Sequence, residues 1–202
     1  MIIGLTGSIA MGKTTTADMF KKLGNPVFNA DEAVHSLYKK GGKAAKEIAK
    51  ILPDVIVDGA VDRKMLADTI AKDKLVLPRI EKIVHPMVHV LEQQFISKHM
   101  TAGTRLIILD IPLLFEAGRQ SDVDVVVVVS TSSDIQKKRA LARLGMTESK
   151  LKIILGRQLP DKEKRARADF IIDTGISLEN TLEQVKKLVQ KLSLSDEKRR
   201  SQ

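Results

Sequence analysis

The most informative segment of this chain is residues 7–14, which read Gly7-Ser8-Ile9-Ala10-Met11-Gly12-Lys13-Thr14. Two glycines five positions apart, followed directly by Lys and a hydroxyl residue, form the P-loop pattern. Such a loop turns backbone N–H groups toward an oxyanion, and the helix that follows adds the positive end of its dipole. Residues 1–5 predict a buried strand before the loop, and residues 13–23 predict a helix after it. The segment therefore predicts a strand, loop and helix that bind phosphate.

Four further apolar runs follow along the chain, separated by longer helical patterns. Continuous runs rich in Val, Ile and Leu suit strands that are covered on both faces. Their alternation with helices is typical of βαβ units around a parallel sheet. We therefore expect an α/β protein, a P-loop three-layer fold with a five-stranded parallel sheet. The four additional strands are predicted at Val27–Phe28, Leu106–Leu109, Val123–Val129 and Phe170–Ile172.

The patterning also predicts how a single P-loop kinase domain of 1–202 is organised. Residues 44–100 show helical periodicity and no convincing strand, which indicates a helical insertion, a candidate substrate-binding subdomain. In this insertion Asp62 could cap a helix through Ala71, and Pro86 should kink or break a helix. The predicted subregions are a nucleotide-binding core of 1–43, 101–133 and 169–194, the insertion 44–100, a helical lid 134–168 and a frayed tail 195–202.

Composition limits the function classes. The 202 residues carry 34 Lys and Arg against 25 Asp and Glu, a net charge of +9, and no cysteine, which excludes disulfides and thiolate chemistry. No apolar run approaches the ~20 residues of a membrane span, and no basic leader precedes an apolar stretch, so we expect a cytoplasmic protein without membrane contact. The charge could attract nucleic acid, an anionic membrane or a small polyanion. Only 3% of residues are aromatic, which disfavours single-strand nucleic-acid binding.

Most of the positive charge lies in one segment. Residues 134–168 contain 11 basic and four acidic side chains, a net of +7. A mobile basic lid over phosphates would have this composition, and Arg139 and Arg143, four positions apart, would share a helix face. An arginine that closes on a transferring phosphoryl group accelerates transfer. For 162–167 a solvated charged face is the favoured interpretation.

Residue types at the strand ends predict the chemistry. Lys13 should reach the β- and γ-phosphates, and the Thr14 hydroxyl should ligate Mg²⁺. Asp110 follows the third predicted strand and is either a magnesium-binding acid or a turn residue. Asp31 follows the second strand and is either a general base or a helix N-cap. The ATP-binding residues predicted in this way are Gly7, Ala10, Met11, Gly12, Lys13, Thr14, Thr15 and Arg143, with the Met11 side chain turned away from the phosphates.

The P-loop leaves several nucleotide-binding classes open. The chain has neither the base-reading motif nor the switch motif of a GTPase, and it is short for a helicase. A small-molecule kinase remains, with a P-loop core, an acceptor site and a lid. The alternatives are a kinase of the same architecture that acts on a nucleoside monophosphate or another small alcohol, and a nucleotide-gated nucleic-acid-binding protein.

Several weaker motifs occur in a specific order along the whole chain. They are Gly4-Leu5-Thr6-Gly7, Asn29-Ala30-Asp31, Val61-Asp62-Arg63, Ile80-Glu81-Lys82-Ile83-Val84-His85-Pro86, Asp110-Ile111-Pro112-Leu113-Leu114-Phe115-Glu116, then Gln136, Arg139, Arg143 and Gln158, and Ala168-Asp169-Phe170-Ile171-Ile172. Together with the P-loop, these segments resemble the dephospho-coenzyme A kinase family. The segment that ends in Phe115-Glu116 and the His85-Pro86 pair are the most specific of them.

The resemblance implies an alcohol-accepting phosphotransferase. Its reaction would be the ATP-dependent phosphorylation of the ribose 3′-hydroxyl of dephospho-CoA to coenzyme A, the last step of coenzyme A synthesis. It implies Asp31 as the base, with Lys13 and Arg139 stabilising charge. The family usually has Asp where this chain has Asn29. Neither nucleic acid nor membrane is expected as a partner, the sequence leaves the oligomeric state open with a monomer as the simplest case, and the acceptor-side residues implied by analogy are Thr6, Asp31, Arg63, His85, Leu113 and Phe115.

Overall fold

The computed structural model describes residues 1–200, with side chains described through residue 197, and contains the five-stranded parallel sheet predicted from the sequence. Its strands are β1 (Ile2–Thr6), β2 (Val27–Asn29), β5 (Ile107–Asp110), β6 (Val125–Ser130) and β7 (Phe170–Asp173). They lie side by side in the order β2-β5-β1-β6-β7. Central β1 runs parallel to both of its neighbours, so that Ile3 lies opposite Ile108 on one side and Val125 on the other.

Burial explains why these runs form central strands. Ile3, Leu5 and residues 107–109 and 127–129 are all completely buried, as expected for strands with helices on both faces. One core cluster joins the sheet to Phe20 and to residues 185–192. The helices of this part of the chain are α1 (Lys13–Lys22), α6 (Ser133–Leu141), α7 (Glu148–Leu155), α8 (Asp161–Ala166) and α9 (Leu178–Arg200).

Two helix ends differ from the predictions. Helix α9 continues through Arg200, so the predicted frayed tail is helical over 195–200, and residues 201–202 lie outside the described part. Asp196 is buried and Glu197 forms an ion pair with Arg105, and both contacts hold the last turns of the helix. Helix α6 ends at Leu141 and so does not extend to Arg143, which the sequence placed on the same helix face as Arg139.

The chain divides into two compact units, one of 1–28 with 99–202 and a second of 29–98. The second unit contains the helical insertion but begins before residue 44. It also contains a short antiparallel hairpin around Asp58-Gly59, both with positive φ, which corrects the expectation that this region has no strand. The elements here are α2 (Ala30–Tyr38), α3 (Lys43–Ile51), β3 (Ile56–Val57), β4 (Ala60–Val61), α4 (Arg63–Lys72) and α5 (Val76–Thr101).

Two predictions about this unit have opposite outcomes. Asp62 caps α4 as predicted, since its carboxylate accepts hydrogen bonds from the N–H groups of Lys64 and Met65. Pro86, in contrast, does not break α5. Pro86 is exposed, so the carbonyl that loses its N–H partner can bind water, while Val84 and Val88 are buried and hold the helix on both sides. Among the described residues, no helix is both long and apolar enough to cross a bilayer.

Candidate active site

The P-loop connects the end of β1 to the start of α1, and its two glycines are required by different contacts. A Cβ at Gly7 would lie 2.6 Å from the carbonyl oxygen of Val129. Gly12 has φ 93° and Ala10 has φ 61°, so the loop makes two left-handed turns in three residues. An L-residue such as Ala10 holds this conformation only when its surroundings enforce it. Met11 is 2% exposed, which confirms that its side chain points into the protein.

Lys13 and Asp110 lie together at the carboxyl edge of the sheet. The Lys13 ammonium forms an ion pair with the Asp110 carboxylate, which is 1% exposed at the end of β5. Asp110 therefore does more than terminate a strand, because its carboxylate faces the P-loop lysine. The Thr14 hydroxyl is exposed in the first turn of α1. Lys13 is a cation of the kind that binds phosphates, and the carboxylate of Asp110 and the hydroxyl of Thr14 are oxygen donors of the type that a hard divalent cation prefers.

Magnesium fits this donor set. Among the described residues there is no group of three His, Cys, Asp or Glu side chains that could hold a metal ion. Mg²⁺ commonly binds through one or two protein oxygens and completes its shell with phosphates and water. Thr14 and Asp110 would supply the protein oxygens of such a site.

Arg139 is fixed to the P-loop through Thr174, a residue that the sequence analysis missed. Its guanidinium donates to the Thr174 hydroxyl at 2.9 Å and to the Thr174 carbonyl at 2.7 Å. The Thr174 hydroxyl in turn donates to the carbonyl of Met11 at 2.8 Å. Thr174 directly follows β7, and strand ends in a parallel sheet meet at one edge. That rule was the signal available in the sequence.

A cavity of about 380 Å³ lies beside the P-loop. Its size is within the range of small-ligand sites, and both arginines of the predicted lid line it. Arg143 lies beyond the end of α6, so the two arginines do not share the helix face expected from their spacing, yet they line the same cavity. The lining residues are Ala10, Gly12, Thr15, Thr16, Arg139, Arg143, Thr174, Ser177, Leu178 and Thr181.

The acceptor-side residues of the first unit differ in accessibility. The Thr6 hydroxyl is buried and donates to the carbonyl of Pro112 at 3.1 Å. Phe115 is 7% exposed, whereas Leu113 is 44% exposed. Thr6 and Phe115 therefore hold the segment after β5 in place, and Leu113 offers the accessible apolar surface. Their contact with an acceptor stays a prediction.

The start of helix α2, in the second unit, excludes one of the two interpretations of Asp31, the helix N-cap. The N-cap of α2 is Asn29, whose side-chain oxygen accepts from the N–H of Glu32 at 3.0 Å. Asp31 is not the cap and presents an exposed carboxylate in the first turn. An Asp could cap the helix in the same way, so Asn at position 29 keeps the cap that the family's usual Asp would supply.

Arg63 and His85 are both exposed in the second unit. Arg63 opens α4, and its charge acts on Tyr38. Burial raises the pKa of the Tyr38 hydroxyl, and the nearby Arg63 guanidinium partly opposes that rise. His85 lies on α5, directly before Pro86.

Comparison with known proteins identifies the family. The family model CoaE, dephospho-CoA kinase, matches residues 1–180. The chain belongs to the dephospho-CoA kinase family. It is 48% identical over 192 residues to the dephospho-CoA kinase of Mesorhizobium japonicum, covering 95% of this chain and 96% of that protein.

Solved structures agree with this family assignment. The structure of TT1252 from Thermus thermophilus is similar with a TM-score of 0.81 at 30% identity, covering 95% of this chain and 97% of that one. Dephospho-CoA kinase from Campylobacter jejuni gives a TM-score of 0.67 at 25% identity, with 95% and 96% covered. The chain is therefore a kinase with a P-loop fold, and neither a different kinase class nor a nucleic-acid-binding protein is favoured.

One basic residue of this dephospho-CoA kinase family member contradicts the expectation that 162–167 forms a solvated charged face. Lys164 is completely buried, and its ammonium lies 2.8 Å from the Glu116 carboxylate. Glu116 also accepts from the N–H of Leu159 at 2.7 Å. Burial alone would raise the pKa of the Glu116 carboxyl, but the Lys164 ammonium beside it and the hydrogen bond from the Leu159 N–H outweigh burial and lower that pKa from its ordinary value. The pair anchors α8, the last helix of the predicted lid.

Proposed function

We propose that this kinase transfers the γ-phosphoryl group of ATP to the ribose 3′-hydroxyl of dephospho-CoA, giving coenzyme A and ADP. The observation that carries the proposal is the match of residues 1–180 to the dephospho-CoA kinase family. A P-loop by itself serves kinases with many acceptors, so the fold supports phosphoryl transfer and the family supports the acceptor. The proposal includes action in the cytoplasm, where ATP is available.

On the donor side, the P-loop amides and Lys13 would bind the phosphate chain, and the cavity lined by Arg139 and Arg143 would hold the nucleoside. Nucleotide binding would exchange the Lys13 contact with Asp110 for contacts with phosphate oxygens. The lysine would then neutralise charge that develops during transfer, as would Arg139. Bound Mg²⁺ would add further charge neutralisation between Thr14 and Asp110.

On the acceptor side, Asp31 would act as the general base. Its carboxylate takes the proton of the 3′-hydroxyl, the freed oxygen forms the new bond to the γ-phosphorus, and the bond from that phosphorus to the ADP oxygen breaks. The exposure of Asp31 and the capping of α2 by Asn29 support this role, because the carboxylate is not needed for the helix. Arg63, His85 and Leu113 are proposed acceptor contacts on the strength of the family resemblance.

The direct test is turnover of the pure protein with ATP, Mg²⁺ and a panel of acceptors, with products identified by mass spectrometry. We expect coenzyme A from dephospho-CoA and little product from nucleoside monophosphates. Absence of coenzyme A alongside rapid phosphorylation of a nucleoside monophosphate would overturn the proposal.

Asp31→Asn tests the base within the same assay. We expect turnover to fall by about 10²-fold or more with ADP affinity unchanged, because general-base catalysis contributes on the order of 10²–10⁴. Glu32→Gln is the matched control, since Glu32 is an exposed carboxylate one position away in the same helical turn. Near-normal turnover of Asp31→Asn would refute the assignment, whereas Lys13→Ala should weaken ADP binding and turnover together.

A further inference from the structure

Two glutamines hold both backbone groups of Ile9 in the P-loop. The side-chain amide of Gln136, on α6, donates to the Ile9 carbonyl at 2.9 Å. The N–H of Ile9 donates to the side-chain oxygen of Gln158, between α7 and α8, at 3.0 Å. Gln136 is 8% exposed and Gln158 is half-buried. The peptide groups on both sides of Ile9 are thereby fixed from outside the loop.

The chemistry of the backbone determines the orientation of both amides. A peptide N–H can only donate and a peptide carbonyl can only accept. Gln136 must therefore present its NH₂ group to Ile9, and Gln158 must present its oxygen. The two glutamines have the same side chain and bind the same residue, but they do opposite tasks.

Side-chain packing joins the same parts of the molecule. Ala10 forms a small buried cluster with Ala140 and Leu151. Ile9 packs against that cluster, together with Met146 and Leu155. Ala10 is also the residue with φ 61°, a conformation that its surroundings must enforce. The helices of the predicted lid thus contact the P-loop where its backbone is most constrained.

We propose that Gln136 and Gln158 are positioning residues that fix the peptide planes around Ile9 and so aim the following loop amides at the phosphates. The Ile9 N–H is engaged by Gln158 and is withdrawn from the phosphate-binding set. This inference rests on the nucleotide use in the proposed function and not on the identity of the acceptor.

The test uses one substitution at two positions. Gln136→Glu and Gln158→Glu each add one negative charge beside Ile9, so their electrostatic effect on a bound nucleotide is matched. A carboxylate at position 158 still accepts from the Ile9 N–H. A carboxylate at position 136 cannot donate and faces the Ile9 carbonyl. We therefore expect the Kd for ADP, measured by calorimetry, to rise about tenfold more in Gln136→Glu than in Gln158→Glu, the ratio for one lost hydrogen bond.

Leucine variants provide the second measurement. Gln136→Leu and Gln158→Leu each remove one bond without adding charge, and each should raise the Kd for ADP by about five- to tenfold. The KM for dephospho-CoA should stay unchanged, which separates positioning of the loop from general damage. Gln94→Leu is the control, because Gln94 is an exposed glutamine on α5. The Kd of this variant for ADP should match that of the parent protein.

Equal Kd values in the two Glu variants would overturn the inference, as would Leu variants that melt earlier but bind ADP normally. If Gln136→Glu does not fold, the two Leu variants decide alone. ADP binding needs no acceptor, so this test is independent of the reaction. A parent protein that makes no coenzyme A, with the Gln136 and Gln158 contrast preserved, would refute the proposed function and leave this inference standing.

Discussion

Replacing Lys164 by Met should destabilise this kinase strongly. Met has nearly the length of the lysine stem, so the change removes the charge and leaves little cavity. The Lys164 side chain is 0% exposed, and the Glu116 side chain that it neutralises is 16% exposed. Loss of one partner of a buried ion pair costs about 3–5 kcal/mol. We expect the lower end, about 3 kcal/mol, because Glu116 is partly exposed and keeps the hydrogen bond from Leu159.

Thermal unfolding measures this effect directly. In a chain of this size about 1 kcal/mol shifts the melting temperature by about 2–4 °C, so Lys164→Met should melt about 6–12 °C below the parent protein. Lys162→Met is the matched control on the same helix, where an exposed lysine should contribute less than about 0.5 kcal/mol. The double variant Glu116→Gln with Lys164→Met should recover part of the loss, since no charge is left unpaired.

The pH dependence of the same comparison has a defined sign. Folding lowers the pKa of the Glu116 carboxyl from its ordinary value of 4.5. A carboxyl group whose pKa is lowered by folding stabilises the folded protein at pH values above its ordinary pKa. That contribution is lost as the pH falls through the pKa of the folded state. The difference in melting temperature between the parent and Lys164→Met should therefore be full above pH 4.5 and narrow below it. A difference under 2 °C at pH 7, or one that does not change with acid, would refute the reasoning.

Three further predictions concern single contacts. Gly7→Ala should lose nucleotide binding and lower the melting temperature by several degrees, because the new Cβ would lie 2.6 Å from the Val129 carbonyl oxygen. Thermal unfolding with and without ADP measures both effects. Asp62→Ala should cost about 1 kcal/mol by urea unfolding, with Asp62→Asn recovering most of it, since only a cap is lost. Thr174→Val should lower turnover by about tenfold or more in steady-state assays while the fold persists, because Arg139 loses one of its two anchors; unchanged turnover would contradict this role.

The P-loop and the five strands could be predicted from the sequence because both depend on local chemistry. Glycine at positions 7 and 12 indicates the backbone conformation of the loop. Continuous apolar runs indicate which short segments are buried. The sequence placed Asp110 at the end of a strand but did not pair it with Lys13. That ion pair forms because strand ends in a parallel sheet meet at one edge. Element ends were less certain. Pro86 predicts a helix break by local rules, yet burial of Val84 and Val88 keeps α5 continuous.

The roles of side chains whose local sequence allows several interpretations could be assigned only from the tertiary structure. Within 162–167, nothing in the local pattern distinguishes Lys164 from its neighbours, because its burial depends on Glu116, 48 positions earlier in the chain. Thr174 is an ordinary polar residue until the end of β7 brings it to Met11 and Arg139. Asp31 was equally compatible with a cap until Asn29 was seen to occupy that place.

The sequence by itself determined that this chain builds a P-loop on a parallel sheet and that its ordered motifs are those of dephospho-CoA kinases. Those features depend on the spacing and type of residues, and both can be recognised in the sequence without the folded structure. Only the tertiary structure decided which polar side chains hold the loop. Gln136 and Gln158 bind Ile9 from 127 and 149 positions away, and such distant pairings arise from packing and not from local pattern.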